Sequence, residues 1–142
     1  MKVCEVMSRQ VIGISPDETV EVAARQLAHY NIGALPVCRA DGTLCGVVTD
    51  RDLVTRCLAS NLSPAKTKIY EVMTQQVVSV KPDMQTADAA HLMGRQQIRR
   101  LPVTQDGKLC GMLSLGDLAS AEECTKEATN ALSNITHNIS AR

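Results

Sequence analysis

Two copies of one eight-residue pattern, at residues 46–53 and 111–118, contain side chains that could hold a phosphorylated sugar. Each copy reads glycine, two apolar residues, a hydroxyl residue, two variable residues, aspartate and leucine. The apolar pair predicts the end of a buried strand, and the hydroxyl residue predicts the first turn of a helix, whose unpaired backbone N–H groups attract anions. The hydroxyl could bond a phosphate oxygen, and the carboxylate could accept hydrogen bonds from neighbouring sugar hydroxyls. The candidate ligand-binding residues are Thr49, Asp52, Ser114 and Asp117.

The same spacing also has a purely structural interpretation. Ser or Thr followed three residues later by an acid is typical of a helix capping box, in which the two side chains only satisfy backbone N–H groups. For a single copy, capping is the better interpretation because short motifs recur by chance. The direction of Asp52 and Asp117 distinguishes the two roles. A ligand-binding carboxylate points into a cleft, whereas a capping carboxylate points back onto its own helix.

The duplication extends far beyond this pattern. Residues 5–8 and 71–74 share Glu-Val-Met followed by a hydroxyl residue, at an offset of 66 residues. The same offset relates Leu-Pro-Val at 35–37 to Leu-Pro-Val at 101–103, and an offset of 65 relates Asp-Leu at 52–53 to Asp-Leu at 117–118. Chance does not produce so many matches in the same order, so the chain contains an internal repeat.

Each repeat predicts the same order of elements. A short apolar strand (11–14 or 77–80) ends at a proline, and an amphipathic helix follows, with Thr19 as its N-cap in the first copy. Leu-Pro-Val then predicts a strand, Asp-Gly a hairpin turn, and the apolar residues after the turn the second strand of the hairpin. The hydroxyl residue begins a final short helix. We therefore expect an α/β fold of two β-α-β-β-α units, at residues 1–60 and 69–120, with their sheets facing inward.

Residues 61–68 are predicted to be a linker, and residues 121–142 a C-terminal tail without a counterpart in the first repeat. Residues 120–123 form a fair capping box, and apolar residues then recur at helical spacing. These apolar residues are Cys124, Ala128, Leu132, Ile135 and Ile139. The tail is therefore predicted to be an amphipathic helix that docks on the repeats or on a second chain, and docking within the chain is favoured.

Composition and charge argue against several classes of function. The chain has no Phe and no Trp, so it lacks the aromatic platforms of single-strand nucleic-acid binders, and its net charge of zero does not favour binding to a phosphate backbone. A charged N-terminus and the absence of a long apolar run predict a soluble, cytoplasmic protein that does not cross a membrane. The six cysteines show no zinc-site spacing, which predicts buried reduced thiols and no metal site.

Together these motifs resemble the CBS domain, which is named for cystathionine β-synthase and occurs in tandem pairs. The resemblance rests on two copies of Val-Met-(Ser/Thr), Leu-Pro-Val and Gly-x-x-(Thr/Ser)-x-x-Asp over residues 1–120, and it is strongest to small stand-alone bacterial pairs of the hypoxic-response type. It implies two units related by pseudo-two-fold symmetry, a disc-shaped homodimer, and clefts between the units that bind adenine nucleotides such as AMP, ADP or ATP. In such proteins the nucleotide is a regulatory ligand, and no cofactor is required.

The resemblance also assigns roles by position. The hydroxyl residues contact phosphate, the aspartates hold the ribose diol, and an apolar strand residue lies against the base. In this sequence these residues are Thr49, Ser114, Asp52, Asp117, Ile12 and Val78.

The two copies differ at one informative place. The second copy has Arg99 and Arg100 where the first has Gly33 and Ala34. In the kinase γ subunits of this family, basic residues at this place reach nucleotide phosphates, and the planar guanidinium group suits a phosphate. We therefore expect phosphate affinity to be asymmetric and to depend on this pair. The alternative is that the arginines face solvent or pair with acids.

Three classes of function remain to be compared. The leading hypothesis is a regulatory module that binds an adenosine-containing molecule and transmits its occupancy, through dimer geometry, to an unidentified effector protein. The alternative is a structural or interaction homodimer with empty clefts, in which the two motifs act only as caps. An enzyme is the weakest hypothesis, because no nucleophile, base and orienting group occur at suggestive spacing, and no catalytic residue is predicted.

Overall fold

The structure is a computed structural model that describes residues 1–121 and 125–140, with the α6 side chains described for residues 128–136. Of the predicted capping box at 120–123, residues 122 and 123 lie outside the described residues, and so does Cys124. The side chain of Ile139 also lies outside the described part of α6. The helices are α1 (Val3–Val6), α2 (Val20–Tyr30), α3 (Asp50–Asp52), α4 (Thr86–Gln96), α5 (Leu115–Ser120) and α6 (Thr125–Ser140). The strands are β1 (Ala34–Cys38), β2 (Leu44–Thr49), β3 (Arg100–Gln105) and β4 (Lys108–Ser114). A π-helical stretch (Leu53–Leu58) continues α3, and a 3-10 turn spans Ile69–Glu71.

The chain forms two compact units, each of which contains one hairpin. The central unit is Ile12–Val77, and the terminal unit combines Met1–Val11 with Val78–Arg142. Each unit contains most of one repeat and the first segment of the other, because that segment joins the sheet of the other repeat. Ser8 pairs with Met112 of β4 in the terminal unit, and Thr74 pairs with Val47 of β2 in the central unit.

The glycine that begins each eight-residue pattern is required by this exchange. A Cβ atom at Gly111 would lie 3.0 Å from the backbone oxygen of Ser8, and one at Gly46 would lie 3.0 Å from the backbone oxygen of Thr74. The side chain of Met7 or Met73 also contacts the same position. These glycines therefore allow close backbone approach, and their role is structural.

Both predicted hairpins are confirmed. Strand β1 pairs with β2, and β3 with β4, in antiparallel register. The turn glycines have positive φ angles of 92° at Gly42 and 79° at Gly107, a conformation that favours glycine. Because of the register, Ala34 lies opposite Thr49, and Arg100 lies opposite Ser114. The hairpins thus place the residues that differ between the copies beside the hydroxyl residues of the motif.

The first predicted strand of each repeat is shorter than expected. Only one residue in each segment, Ile14 or Val80, forms a parallel bridge. The Ile14 N–H donates to the Pro36 oxygen at 3.0 Å, and the Cys38 N–H donates to the Ile14 oxygen at 2.9 Å. Extending this ladder in either direction would require an N–H from Pro16 or Pro36, which proline lacks. The predicted strands over 11–14 and 77–80 were therefore too long. In the second copy, prolines limit the parallel ladder in the same way.

The helices bury apolar faces on two aliphatic cores. Thr19 caps α2 as predicted, since its Oγ1 accepts the Val22 N–H at 3.3 Å. The central core is built on Leu35, Val37, Val48, Ile69 and Val72. The terminal core is built on Val3, Met93, Leu101, Val103, Leu113 and Leu118. Both cores lack Phe and Trp, as the composition requires.

Helix α6 docks within the chain, which was the favoured option. It packs on α4 and α5 through Ala128, Ala131 and Ile135, each only 3% exposed. A Cβ atom at Gly94 of α4 would lie 3.4 Å from the Ala131 Cα, so two small residues bring these helices close together. Leu132, which was also predicted to be on the docking face, is 42% exposed. The docking face of α6 therefore includes Ala131, which was not predicted to lie on it, and leaves out Leu132.

Candidate functional site

Both motifs form reciprocal capping boxes. In the first copy, Thr49 Oγ1 accepts the Asp52 N–H at 3.0 Å, and Asp52 Oδ2 accepts the Thr49 N–H at 3.0 Å. In the second copy, Ser114 Oγ accepts the Asp117 N–H at 3.0 Å, and Asp117 Oδ2 accepts the Ser114 N–H at 2.8 Å. Each aspartate therefore points back onto its own helix, as the structural interpretation of the motif requires.

Capping does not exhaust the hydrogen-bonding capacity of these side chains. A hydroxyl group has one donor and two acceptor sites, so the Ser114 hydroxyl can cap α5 and still donate to a phosphate oxygen. A carboxylate has two oxygens, and the cap uses only Oδ2 of Asp117. The capping and ligand-binding roles are therefore chemically compatible in the second copy.

The backbone N–H groups at the start of the two helices are less available than the sequence suggested. The Asp50 N–H donates to the Gly33 oxygen at 3.0 Å, and the Leu115 N–H donates to the Arg99 oxygen at 2.8 Å. The caps occupy a further N–H in each copy. The expected cluster of unpaired N–H groups is therefore largely satisfied by the protein, and any anion affinity must come mainly from side chains.

The aspartate of the first copy is more fully committed to internal contacts. Asp52 is 8% exposed, and its Oδ1 lies 3.7 Å from the Arg56 Nε. Arg56 is held in turn by the backbone oxygens of Val72 and Met73, to which its Nη1 donates at 3.3 and 3.1 Å. The second repeat has Ala121 in place of Arg56. No described cation pairs with Asp117, which is only partly buried.

Charge also distinguishes the two copies. In the first copy, the Asp50 carboxylate lies beside Gly33, where an added Cβ atom would be 3.5 Å from Asp50 Oδ2. The second copy has Arg99 in place of Gly33 and Leu115 in place of Asp50. An anionic ligand would meet a carboxylate in the first copy and guanidinium groups in the second, so the second copy is the better anion site.

A cavity of about 410 Å³ in the terminal unit brings three of the predicted residues together. Arg99 and Arg100 line it at the start of β3, and Ser114 lines it at the end of β4. Asp117 does not line this cavity. Both arginines are exposed, and no described carboxylate lies within 4.0 Å of either guanidinium. The alternative that they pair with acids is therefore not seen among the described residues.

One wall of this cavity was not anticipated from the sequence. Ala128, Thr129 and Leu132 of α6 line it together with the arginines. The apolar periodicity indicated a helix in this part of the chain. It contained no signal for where the helix docks, because that depends on the small residues of α4 and α5.

The two residues predicted to lie against a base occupy equivalent places in separate units. Ile12 is partly buried against the central core, and Val78 is partly buried against the terminal core. Each therefore presents some apolar surface near the first segment of its repeat. Their contact with a ligand stays a prediction.

The cysteines are less buried than predicted. Cys57 is fully buried, but Cys45 and Cys110 are only half-buried, and each Sγ lies 3.4 Å from a backbone oxygen of the neighbouring strand. Burial raises the pKa of the Cys38 thiol, and the neighbouring Cys45 raises it further. Among the described residues, no three or more His, Cys, Asp or Glu side chains are grouped closely enough to hold a metal ion.

Comparison with known proteins identifies the family. The family model of the CBS domain matches residues 3–59 and residues 69–123. The chain belongs to the CBS-domain family. It is a tandem pair, and it is 40% identical over 133 residues to the CBS domain-containing protein YhcV of Bacillus subtilis, a match that covers 94% of both chains.

Solved CBS structures share this fold. Hypoxic Response Protein I, solved with two coordinated zinc ions, matches with a TM-score of 0.78 and 30% identity, over 84% of this chain and 98% of that one. CBSX2 in complex with AMP matches with a TM-score of 0.76 and 30% identity, over 88% and 98%. The CBS pair of protein MJ0100, in complex with 5-methylthioadenosine and S-adenosyl-L-methionine, matches with a TM-score of 0.73 and 27% identity, over 84% and 98%. The described helices of the CBS pair include none long and apolar enough to span a membrane.

Proposed function

We propose that this CBS pair is a regulatory module that binds an adenosine-containing nucleotide of the AMP, ADP or ATP type and relays its occupancy to a partner protein in the cytoplasm. The observation that carries the proposal is the cavity shared by Arg99, Arg100 and Ser114. Two arginines and a serine line a space large enough for a phosphorylated ligand group, and both side-chain types can donate hydrogen bonds to phosphate. No residue is proposed to be catalytic.

The ligand class is supported by the solved neighbours. CBSX2 was solved with AMP, and MJ0100 with 5-methylthioadenosine and S-adenosyl-L-methionine. These molecules share an adenosine group and differ in what is attached to its 5′ position. An arginine pair favours a negatively charged 5′ substituent, so a phosphate is the preferred attachment in this chain.

We assign the main phosphate site to the second repeat. There Arg99, Arg100 and Ser114 would hold the phosphate in the cavity. Asp117 and Val78 do not line the cavity, so the ribose diol would reach the second carboxylate oxygen of Asp117, and the base would reach Val78, outside it. The equivalent residues of the first repeat, Thr49, Asp52 and Ile12, form a weaker site, because Asp50 repels phosphate and Arg56 competes for Asp52.

We also propose that the module is a homodimer. Three small apolar residues of the central unit are exposed, namely Ala24, Ala28 and Val54. Their equivalents in the second repeat are Ala90, Gly94 and Ala119. These equivalents lie on the side of the terminal unit that α6 covers or approaches. An exposed apolar face of this kind is a suitable dimer interface.

Sedimentation tests the dimer proposal. We expect the wild-type chain to sediment as a dimer, and Val54→Glu to sediment as a monomer because a charge would be buried in the interface. Gln105→Glu adds the same charge to an exposed hairpin of the terminal unit and should leave the dimer intact. A wild-type monomer, or a dimer that Val54→Glu does not weaken, would contradict this assignment.

A structural or interaction protein is the second candidate function. The observation that favours it is the pair of complete capping boxes, which explain the spacing shared by the two repeats without any ligand. Under this hypothesis the exposed face would bind a partner, and the cavity would remain empty at physiological concentrations of nucleotide.

Thermal unfolding in the presence of candidate ligands distinguishes the two functions. A ligand that binds only the folded state stabilises it by about 2.7 kcal/mol at a concentration of 100 times Kd. We expect one or more of AMP, ADP, ATP and S-adenosylmethionine to raise Tm, and Asp117→Ala to reduce that shift more than Asp52→Ala does. Both variants keep the N-cap residue and lose the reciprocal hydrogen bond from N3, so each shift is measured against the unliganded form of the same variant. Equal shifts in both variants would contradict the assignment to the second repeat.

A further inference from the structure

Helix α6 supplies the third wall of the cavity that contains Arg99 and Arg100. The other two walls come from β3 and from the β4–α5 junction, both of which belong to the repeat. Helix α6 has no counterpart in the first repeat. Two walls of the cavity thus come from elements that occur in both repeats, and the third comes from a helix that occurs once.

Helix α6 is held to the scaffold by packing on both α4 and α5. Its described buried residues, Ala128, Ala131 and Ile135, form one stripe at helical spacing, and two of the three are alanines. At the closest point, a Cβ atom at Gly94 would lie 3.4 Å from the Ala131 Cα. A contact made through a ligand would add to the packing that holds α6 in place.

The side chains that α6 presents to the cavity lie beside this stripe. Thr129 and Leu132 are one helical turn apart, and both line the cavity. Leu132 is 42% exposed, although its stripe neighbours are only 3% exposed. An occupant of the cavity would cover part of this apolar side chain, which favours the docked position of α6.

We propose that Thr129 and Leu132 are ligand-contacting residues, and that occupancy of the cavity and docking of α6 stabilise each other. This inference rests on the proposed function. Coupling is reciprocal by thermodynamic necessity, so a ligand that α6 encloses must also hold α6 against α4 and α5. The undocked helix would expose its apolar stripe, and the module would thereby convert ligand occupancy into a change of surface that a partner can read.

Hydrogen exchange of the full chain with and without saturating AMP tests the coupling. We expect AMP to slow amide exchange across residues 125–140 by about 5-fold or more, the lower end of typical coupling factors. Exchange in the β1–β2 hairpin of the central unit is the internal reference and should change less. Inorganic phosphate alone, which lacks the adenosine group, should protect α6 less than AMP does at the same concentration.

Binding by α6 variants provides the second readout. Leu132→Ala and Thr129→Ala should each weaken AMP binding by about 5–10-fold, the lower part of the range for coupled sites, and the unliganded Tm of each variant is measured alongside as its reference. Asn130→Ala, at an exposed position of α6 outside the cavity, is the matched control and should bind as the wild type does. AMP binding that leaves α6 exchange and both variants unchanged would overturn the coupling alone. Failure of every adenosine ligand to bind the wild type would overturn the proposed function and the coupling together.

Discussion

Replacing Gly111 with alanine is expected to destabilise the protein by about 1–3 kcal/mol, the usual cost of overpacking, and to lower Tm by several degrees. The added Cβ atom would lie 3.0 Å from the Ser8 oxygen. That oxygen accepts the Met112 N–H at 2.9 Å, and the Ser8 N–H donates to the Met112 oxygen at 2.8 Å. The backbone of the N-terminal segment must therefore move, and this bridge must weaken.

Gly116→Ala is the matched control for this measurement. A Cβ atom at Gly116 would lie 3.6 Å from Ser114 Oγ, an ordinary contact, and alanine is favoured over glycine in a helix by up to about 1 kcal/mol. Thermal unfolding should show a lower Tm for Gly111→Ala and an equal or higher Tm for Gly116→Ala. If Gly111→Ala unfolded at the wild-type temperature, the exchange of the N-terminal segment into the sheet of the second repeat would be wrong.

Removing both arginines is expected to have the largest effect on ligand binding. A hydrogen bond to a charged group contributes about 1.5–3 kcal/mol, and exposure of these side chains reduces this value. We therefore expect Arg99→Ala with Arg100→Ala to weaken AMP binding by about 10–100-fold, whereas adenosine, which lacks the phosphate, should bind both proteins equally. The comparison of AMP with adenosine isolates the contact between the arginines and the phosphate.

Two further variants sharpen this test. Arg95→Ala removes one exposed positive charge from the last turn of α4, outside the cavity, and should leave AMP affinity close to the wild-type value. Arg100→Lys keeps the charge but loses the planar fork, so its affinity should be intermediate. Unchanged AMP affinity in Arg100→Ala would contradict the role of Arg100 in phosphate binding.

The sequence contained most of the information about the elements and less about how they pair. Asp-Gly at 41–42 and the spacing after Thr19 act locally, so the hairpin and the α2 cap were predictable. The length of the first strand was not, because it depends on Pro36 in the partner strand and on a register that the sequence does not specify. The exchange of segments between repeats was likewise not predictable from the sequence. Its close backbone approach requires the glycine at position 111, but a glycine alone does not show which segment approaches it.

The candidate site was predictable in its parts and not in its assembly. Arg100 and Ser114 could be singled out, and β3–β4 pairing places them opposite each other. Capping and ligand binding could not be separated from sequence, since a hydroxyl residue and an aspartate at this spacing suit both roles. The α6 wall could not be placed either, because its position depends on the contact between Gly94 and Ala131.

Equilibrium dialysis of the purified wild-type chain against a mixture of AMP, ADP, ATP and S-adenosylmethionine tests the central claim most directly. The retained ligand is identified and quantified by mass spectrometry on both sides of the membrane. We expect saturable retention of at least one phosphorylated adenosine ligand, with an affinity about 10–100-fold lower when Arg99 and Arg100 are both replaced by alanine. Equal concentrations of every ligand on both sides, at millimolar total ligand, would contradict the account and favour the structural or interaction protein.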